Sequence, residues 1–254
     1  MPLSSSSSVE VKEAHRRIRH LLPGAMALAG AAGYVNSVVL GFFHTPVSHM
    51  TGAVSNLGLD LSEQRFADAR ASMSIVAGFI LGAVLAGILI GTWKLVPGRR
   101  YGVALMAQGA LLLLSTWLIH RHDRLGLSVV AMACGLQNAM TSSYCGLLIR
   151  TTHVTGMVTD IGLMIGHWIR HRQVEGWKLR FLIFVFLAFG VGGWIGAFLD
   201  LHYGPGCLAV AAVGCLVAGA IFWFMTHRGL VDFMQDAVPH PPRIGTFTNL
   251  PPST

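Results

Sequence analysis

Six uncharged, apolar stretches dominate this sequence and restrict the chain to a small set of folds. Each has about 18 residues or more, which as a helix at about 1.5 Å per residue can cross a hydrocarbon core of roughly 30 Å. Inside a bilayer every backbone N–H and C=O group needs an internal partner, so such stretches fold as helices. They are residues 21–43, 72–93, 101–119, 125–149, 181–199 and 204–226. We therefore predict an all-α, polytopic membrane protein.

The composition and the charge distribution agree with this interpretation. Hydrophobic residues make up 53% of the chain and charged residues 11%, whereas soluble domains carry about 25% charged residues. The formal net charge is +7, but Lys and Arg are spread over short loops and terminal segments, so we attribute them to membrane orientation rather than to nucleic acid. The four cysteines lie inside apolar stretches without the close pairs of a zinc site, and we predict neither a metal nor a cofactor.

One motif occurs twice in the chain. "HMTGAVSNLGL" at 49–59 returns as "HVTGMVTDIGL" at 153–163 with six of eleven positions identical, and "GYVNS" at 33–37 resembles "GLQNA" at 135–139. We predict two membrane repeats, 21–120 and 123–227, between an N-terminal tail, 1–20, and a Pro-rich C-terminal tail, 228–254. Secondary transporters often contain such repeats, with the substrate site between them. The alternative is a duplication that serves only packing.

The number of membrane crossings depends on the two motif segments. Residues 46–61 and 152–169 would be about 24 Å and about 27 Å long as helices, which is marginal for a span. If both cross, two parallel units of four give eight spans; if neither does, two inverted units of three give six. The positive-inside rule places both termini in the cytoplasm in either arrangement. We favour eight, because residues 62–70 and 170–180 then form equivalent cytoplasmic loops.

The polar residues of each motif share one helix face, at about 3.6 residues per turn. Because polar atoms that face lipid are costly, we expect these faces to point to the protein interior or to an aqueous cavity. The first face carries His49, Gly52, Asn56 and Asp60, the second carries His153, Gly156, Asp160, His167 and His171, and a second polar line contains Thr51, Ser55, Thr155 and Thr159.

Asp160 carries most of the functional hypothesis. It is an acid well inside an apolar segment, and its counterpart in the first motif is the neutral Asn56. An intramembrane carboxylate is a candidate proton or cation site. The alternative is a structural carboxylate that pairs with His153, with His167 or with an amide of the neighbouring repeat.

The two motif histidines suggest a site of a different kind. His49 and His153 begin the motif helices, and the hydroxyls of Thr51 and Thr155 are placed to cap them. Helix N-termini expose N–H groups that bind anions, and broken helices in transporters use this geometry. A matched pair of such starts would form one pseudo-symmetric site; the alternative is a pair of hydrogen-bonded structural histidines.

Three amide side chains lie inside the first spans of the two repeats. They are Asn36 in the first and Gln137 and Asn138 in the second. Amides in membrane helices either join neighbouring helices or line a pathway. We slightly favour the joining role.

These motifs resemble the YoaK-like family of bacterial inner-membrane proteins, a family of unknown function. The resemblance covers roughly residues 20–227 and is carried by "GYVNS" and by the two His-x-Thr-Gly segments. Family members more often show "MTGN" after the first span and an acid at the position of Asn36, whereas here Gly52 precedes Ala53. The resemblance implies a permease-like, multi-pass protein of the bacterial plasma membrane.

Taken together, the residues favour a small secondary transporter for an unknown solute or ion, proton-coupled through Asp160. Its partners would be the lipid bilayer and the solute, and a homodimer is one option for its assembly. The alternatives are a non-transporting scaffold or sensor and a metal-dependent membrane enzyme. We predict that the protein is not an enzyme, because the chain has no nucleophile elbow, no His-Glu-x-x-His and no nucleotide-binding loop.

Overall fold

The computed structural model describes residues 5–44, 47–90, 99–141, 153–172 and 174–229, with side chains from residue 22 onward except at position 141. These residues form eight α-helices, one 3₁₀ helix and no strand. The helices are α1 (Ser5–Phe43), α2 (Met50–Ser62), α3 (Phe66–Ile90), α4 (Arg99–His120), α5 (Leu125–Thr141), α6 (Val154–His171), α7 (Gly176–Tyr203), the 3₁₀ helix Gly204–Cys207 and α8 (Leu208–His227). The predicted tail beyond residue 229 lies outside the described residues, whereas residues 5–20 of the predicted N-terminal tail belong to α1.

Four helical stretches are long and apolar enough to cross a membrane, judged by length and composition: Leu22–Phe43, Phe66–Ile90, Arg99–His120 and Gly176–His227. The last of them contains both α7 and α8. Leu125–Met140 is apolar but shorter. Large apolar side chains cover the outside, including Ile88 and Trp194, which are 73% and 70% exposed. Contiguous apolar surface of this kind is costly in water but not in lipid, so the helices indicate an integral membrane protein.

Glycines bring α1 and α7 together along a seam. Gly33 packs on the backbone of Phe189, and Gly192 packs on the backbone of Gly30. The two helices run in the same direction, since Gly30 faces Ala188 while Gly41, further along α1, faces Asp200. A side chain at these glycines would push the two backbones apart, which explains why small residues are placed there.

A second glycine seam joins α3 and α5, also in parallel. The direction follows because Gly78 packs on the backbone of Ser128 while Gly82, further along α3, packs on that of Met132. Gly135 of α5 packs on the backbone of Phe79. α4 and α8 form a third close pair, which is antiparallel because Gly102 meets Gly219 while Gly109 meets Ala212. The main core lies where α1, α4, α5 and α8 converge, and its fully buried members include Val35, Val38, Leu112, Val130 and Leu208.

The two short helices pack very differently. α2 lies along α3 and buries Ala53 and Asp60. α6 contacts mainly α7, and Met157 is its buried residue. The second short helix is therefore attached to the bundle by a much smaller interface than the first.

Candidate functional site

The chain enters α2 from deep inside the bundle. Ser48, just before α2, donates its hydroxyl hydrogen to Oδ1 of Asn36 over 2.6 Å. Asn36 precedes the end of α1 by seven residues, so the chain has returned about 10 Å along α1 before α2 begins. The His49 ring lies 6.5 Å from the Phe189 ring, measured between centroids. Because Phe189 packs on Gly33, halfway along the apolar part of α1, α2 begins near the middle of the long helices.

From this point α2 runs back to the end of the bundle where α1 finishes. Asn56 and Asp60 share a cavity with Phe43 and with Ile119 near the end of α4. We call this the α2 end of the bundle. α2 therefore starts near the middle of the bundle and finishes at the same end of the bundle as α1.

α6 begins next to α2 and runs the opposite way. The His49 ring lies beside Phe189, and both Phe189 and Val154, the first residue of α6, pack against the same apolar cluster. One turn further, Met157 packs in a cluster with Ala25 and Phe181, near the start of the apolar part of α1 and the start of α7. We call this the α6 end of the bundle. The two His-x-Thr-Gly starts thus lie on the same side of Phe189, and a site between them stays a prediction.

Asp60 fixes the far end of α2. Its carboxylate accepts a hydrogen bond from the Ser72 hydroxyl of α3 over 3.2 Å and pairs with the Arg65 guanidinium over 2.8 Å. The Arg65 backbone N–H also donates to the Asp60 carbonyl. Asp60 is only 6% exposed, and a buried carboxylate of this kind requires such partners.

A polar cleft opens beside this carboxylate at the α2 end. Its volume is about 650 Å³. The cleft extends along α2 from Asp60 to Asn56, and at the depth of Asn56 it is also lined by Ile75 of α3. It therefore points toward the start of α2. Its charged and amide lining consists of Asn56, Asp60, Arg65, Asp68, His122, Asp123 and Arg124. Water and polar solutes can therefore approach the short helix from this end.

The predicted amides join helices. Gln137 is 2% exposed, accepts a hydrogen bond from Gln108 of α4 and donates one to the Leu28 carbonyl of α1, each over 2.7 Å. Asn36 is buried and holds Ser48. Asn138 is half-buried and has a partner. These contacts agree with the joining role that we favoured for the amides.

The predicted threonine caps are wrong. α2 and α6 begin at Met50 and Val154, so the N-cap residues are His49 and His153. Thr51 and Thr155 lie one residue too far along to cap, and both are exposed. Neither histidine side chain makes a capping hydrogen bond. The His153 ring instead lies over Gly156, where a Cβ would meet Nδ1 at 2.5 Å; Gly52 is half-buried in the equivalent turn.

Of the two surroundings expected for the polar stripe of α6, the protein interior does not apply, while an aqueous cavity stays a prediction. Asp160, Thr159, His167 and His171 are all exposed. Helical periodicity had placed them correctly on one face, but α6 packs through the neighbouring face that contains Met157. The role of Asp160 in coupling stays a prediction.

Sequence reasoning missed the acid that is buried. It placed Asp60 on the polar face of α2 but assigned it no role, because "LDLSEQR" reads as a helix end followed by a solvated loop. It also missed Gln108, whose Oε1 is buried without a hydrogen-bond partner among the described residues. A glutamine in the middle of the apolar stretch 101–119 was the available signal.

No group of three or more His, Cys, Asp or Glu side chains within the described residues is arranged to hold a metal ion. His167 and His171 approach each other with 6.1 Å between ring centroids, on the exposed side of α6. The arrangement at the start of α2 and α6 instead consists of helix N-termini, imidazoles and an amide, which suits hydrogen bonding to a polar solute.

Comparison with known proteins identifies a family but no characterised relative. Residues 24–221 match the family described as protein of unknown function (DUF1275). No curated protein and no solved structure matches the chain. A closer relation to YoaK-like proteins stays a prediction. Because the match covers most of the sequence, the chain belongs to the DUF1275 family of proteins of unknown function.

Proposed function

We propose that this protein is a small secondary transporter whose solute site lies where α2 and α6 begin. The observation that carries the proposal is the meeting of two short helix starts near the middle of the long helices. Discontinuous helices of this kind form the substrate sites of many secondary transporters. The proposed location is the bacterial plasma membrane, with both termini in the cytoplasm.

Equivalent packing in the two sequence repeats supports a two-fold architecture. Gly33 packs on Phe189, and Gly135 packs on Phe79; Gly192 packs on Gly30, and Gly82 packs on Met132. Positions 132 and 135 follow positions 30 and 33 by 102 residues. Positions 189 and 192 follow positions 79 and 82 by 110 residues. The α1–α7 seam is therefore the counterpart of the α3–α5 seam.

The helix directions favour the six-span alternative over the eight-span arrangement. α7 corresponds to α3 in the sequence repeat, since "FILGAVLAGIL" at 79–89 loosely matches "FGVGGWIGAFL" at 189–199. α7 nevertheless runs parallel to α1, whereas α3 runs back from the end where α1 finishes. The two units are then inverted relative to each other. In this arrangement α1, α3, α4, α5, α7 and α8 cross the bilayer, while α2 and α6 enter it from opposite sides and meet inside.

The centre offers hydrogen-bond donors and imidazoles. The first N–H groups of α2 and α6 have no partner within their own helices, and His49 and His153 stand at these starts. The positive ends of both helix dipoles also point toward this region. A polar solute bound here would exchange its hydration shell for these groups, and the cleft at the α2 end provides its access. Proton coupling through Asp160 belongs to the same proposal.

The test is solute flux into liposomes that contain the purified, full-length protein. Libraries of small polar solutes are screened by solute-driven currents on supported membranes, and each hit is confirmed by counterflow. We expect His49→Ala combined with His153→Ala to reduce flux at least tenfold. His227→Ala, an exposed change at the end of α8, serves as the matched control and should leave flux unchanged. Flux that survives loss of both histidines would contradict the proposed site.

The same liposomes test the coupling. If Asp160 carries the coupled proton, Asp160→Asn should remove the dependence of flux on an imposed pH gradient while solute exchange continues. A pH dependence that is unchanged in this variant would show that coupling, if present, uses another group.

A second candidate function follows from the exposed stripe of α6. Polar side chains within a membrane segment are normally covered, so a non-transporting scaffold or sensor would use α6 to bind a partner helix. The cleft beside α2 favours transport, since a scaffold has no need of polar access toward the middle of the bundle.

A further inference from the structure

The two short helices are sequence counterparts but are held to different degrees. α2 buries Asp60 and packs along α3, whereas α6 buries Met157 and leaves most of its surface exposed. The difference has an identifiable cause in the residues that anchor each helix.

Asp60 is the anchor of α2. It lies in the last turn of α2 and binds Ser72 on α3 and Arg65 in the connecting turn. Both carboxylate oxygens are therefore used to tie the helix to its neighbour. Hydrogen bonds to a charged group are stronger than those between neutral groups, and the Asp60 side chain itself is largely buried although it borders the polar cleft.

The second repeat lacks this anchor. The motif spacing of 104 residues makes Met164 the counterpart of Asp60, and the spacing of 110 residues between α3 and α7 makes Leu182 the counterpart of Ser72. Neither residue can form the charged hydrogen bond. α6 is therefore left with apolar contacts around Met157.

The two halves of the bundle also differ in how closely their long helices pack. α4 and α5 are joined by the Gln108–Gln137 bond and by the Ser115 hydroxyl, which donates to the Gly126 carbonyl over 2.9 Å. Their counterparts, α8 and α1, line an apolar cavity of about 910 Å³ together with parts of α4 and α7. α1 and α8 are therefore packed less closely against each other than α4 and α5.

We propose that Asp60 is a positioning residue that locks α2 to α3, and that α6 is the half of the central site that moves. Displacement of α6 opens the centre toward the α6 end, while α2 stays fixed beside the polar cleft. The purpose of the α6 movement rests on the proposed transport function. The attachment of α2 to α3 through Asp60 is a property of the fold and can be measured without a solute.

Hydrogen–deuterium exchange on the full-length protein in lipid nanodiscs tests whether Asp60 locks α2 while α6 is free to move. In the unmodified protein, amides of α2 should exchange about tenfold or more slowly than those of α6, because an opening that breaks a bond to a charged group is rarer by about this factor. Asp60→Asn and the milder Ser72→Ala should speed exchange in α2 toward the rate of α6 and leave α4 and α5 unchanged. Asp68→Asn, which removes a carboxylate from the same cleft but not from the lock, is the matched control.

Equal protection of α2 and α6 in the unmodified protein would overturn the proposal. So would an equal effect of Asp68→Asn, or an acceleration by Ser72→Ala that spreads over all helices, since that indicates general destabilisation. If Asp60→Asn does not fold, the exchange of α2 amides in Ser72→Ala tests the proposal in its place. Flux in liposomes without a difference in exchange would leave the transport proposal intact and remove only the lock.

Discussion

Replacing Gly192 with alanine tests the parallel α1–α7 seam directly. A Cβ at this position would overlap the carbonyl oxygen of Gly30 and lie 2.6 Å from the carbonyl carbon. Ordinary contact between carbon atoms is about 3.5 Å, so the helices must separate by about 1 Å. A gap of this size forfeits about a quarter to a half of the dispersion energy of the contacts along the seam. We expect a loss of about 1–3 kcal/mol in unfolding free energy, the usual cost of overpacking.

Gly190 supplies a control two residues away on the same helix. A Cβ there meets open space, so Gly190→Ala should stabilise the helix by about 0.5–1 kcal/mol through reduced backbone entropy. The two variants should move the SDS mole fraction at the unfolding midpoint in mixed micelles in opposite directions. Equal effects, or a stable Gly192→Ala, would refute the close approach of the two backbones.

Two further changes probe the polar contacts. Gln108→Leu and Gln137→Leu each leave a buried amide without its partner. The double variant should therefore be about 0.5–1.5 kcal/mol more stable than the sum of the two single losses predicts. A double-mutant cycle measured by SDS unfolding that shows additive losses would argue against the Gln108–Gln137 bond. Ser48→Ala should release the chain before α2 from Asn36 and increase labelling of a cysteine introduced at position 49 by a water-soluble maleimide. Unchanged labelling would mean that this hydrogen bond does not hold the start of α2.

The long helices could be predicted from the sequence because an apolar stretch of that length has few other ways to satisfy its backbone in lipid. The direction of the short helices could not be predicted. Segments of 16 and 18 residues are compatible with crossing and with returning, and the distribution of Lys and Arg is the same in both cases. The contacts of Ser48 and His49 with α1 and α7 carry that information, and they join residues far apart in the chain.

The candidate site was predictable in part for a similar reason. Periodicity showed that His49 and Asn56, or His153 and Asp160, share a face, but it does not show which face another helix covers. Attention therefore fell on Asp160, which is exposed, rather than on Asp60, which is buried against Ser72. The recurrence of His-x-Thr-Gly suggested a site shared by the two starts, because polar groups in an apolar segment need polar partners; that site stays a prediction.

The glycine seams also determine when the protein can finish folding during its synthesis. The face of α1 that contains Gly30 and Gly33 is matched by α7, and Tyr34 of α1 donates its hydroxyl hydrogen to the carbonyl of Cys207, 173 residues later. Neither half of the chain can therefore complete its helix pairs alone. α1 must wait in the membrane, its glycine face covered by lipid or by the insertion machinery, until the ribosome has made most of the second half. A chain that stops before α7 would leave an unpaired seam that quality-control proteases can recognise.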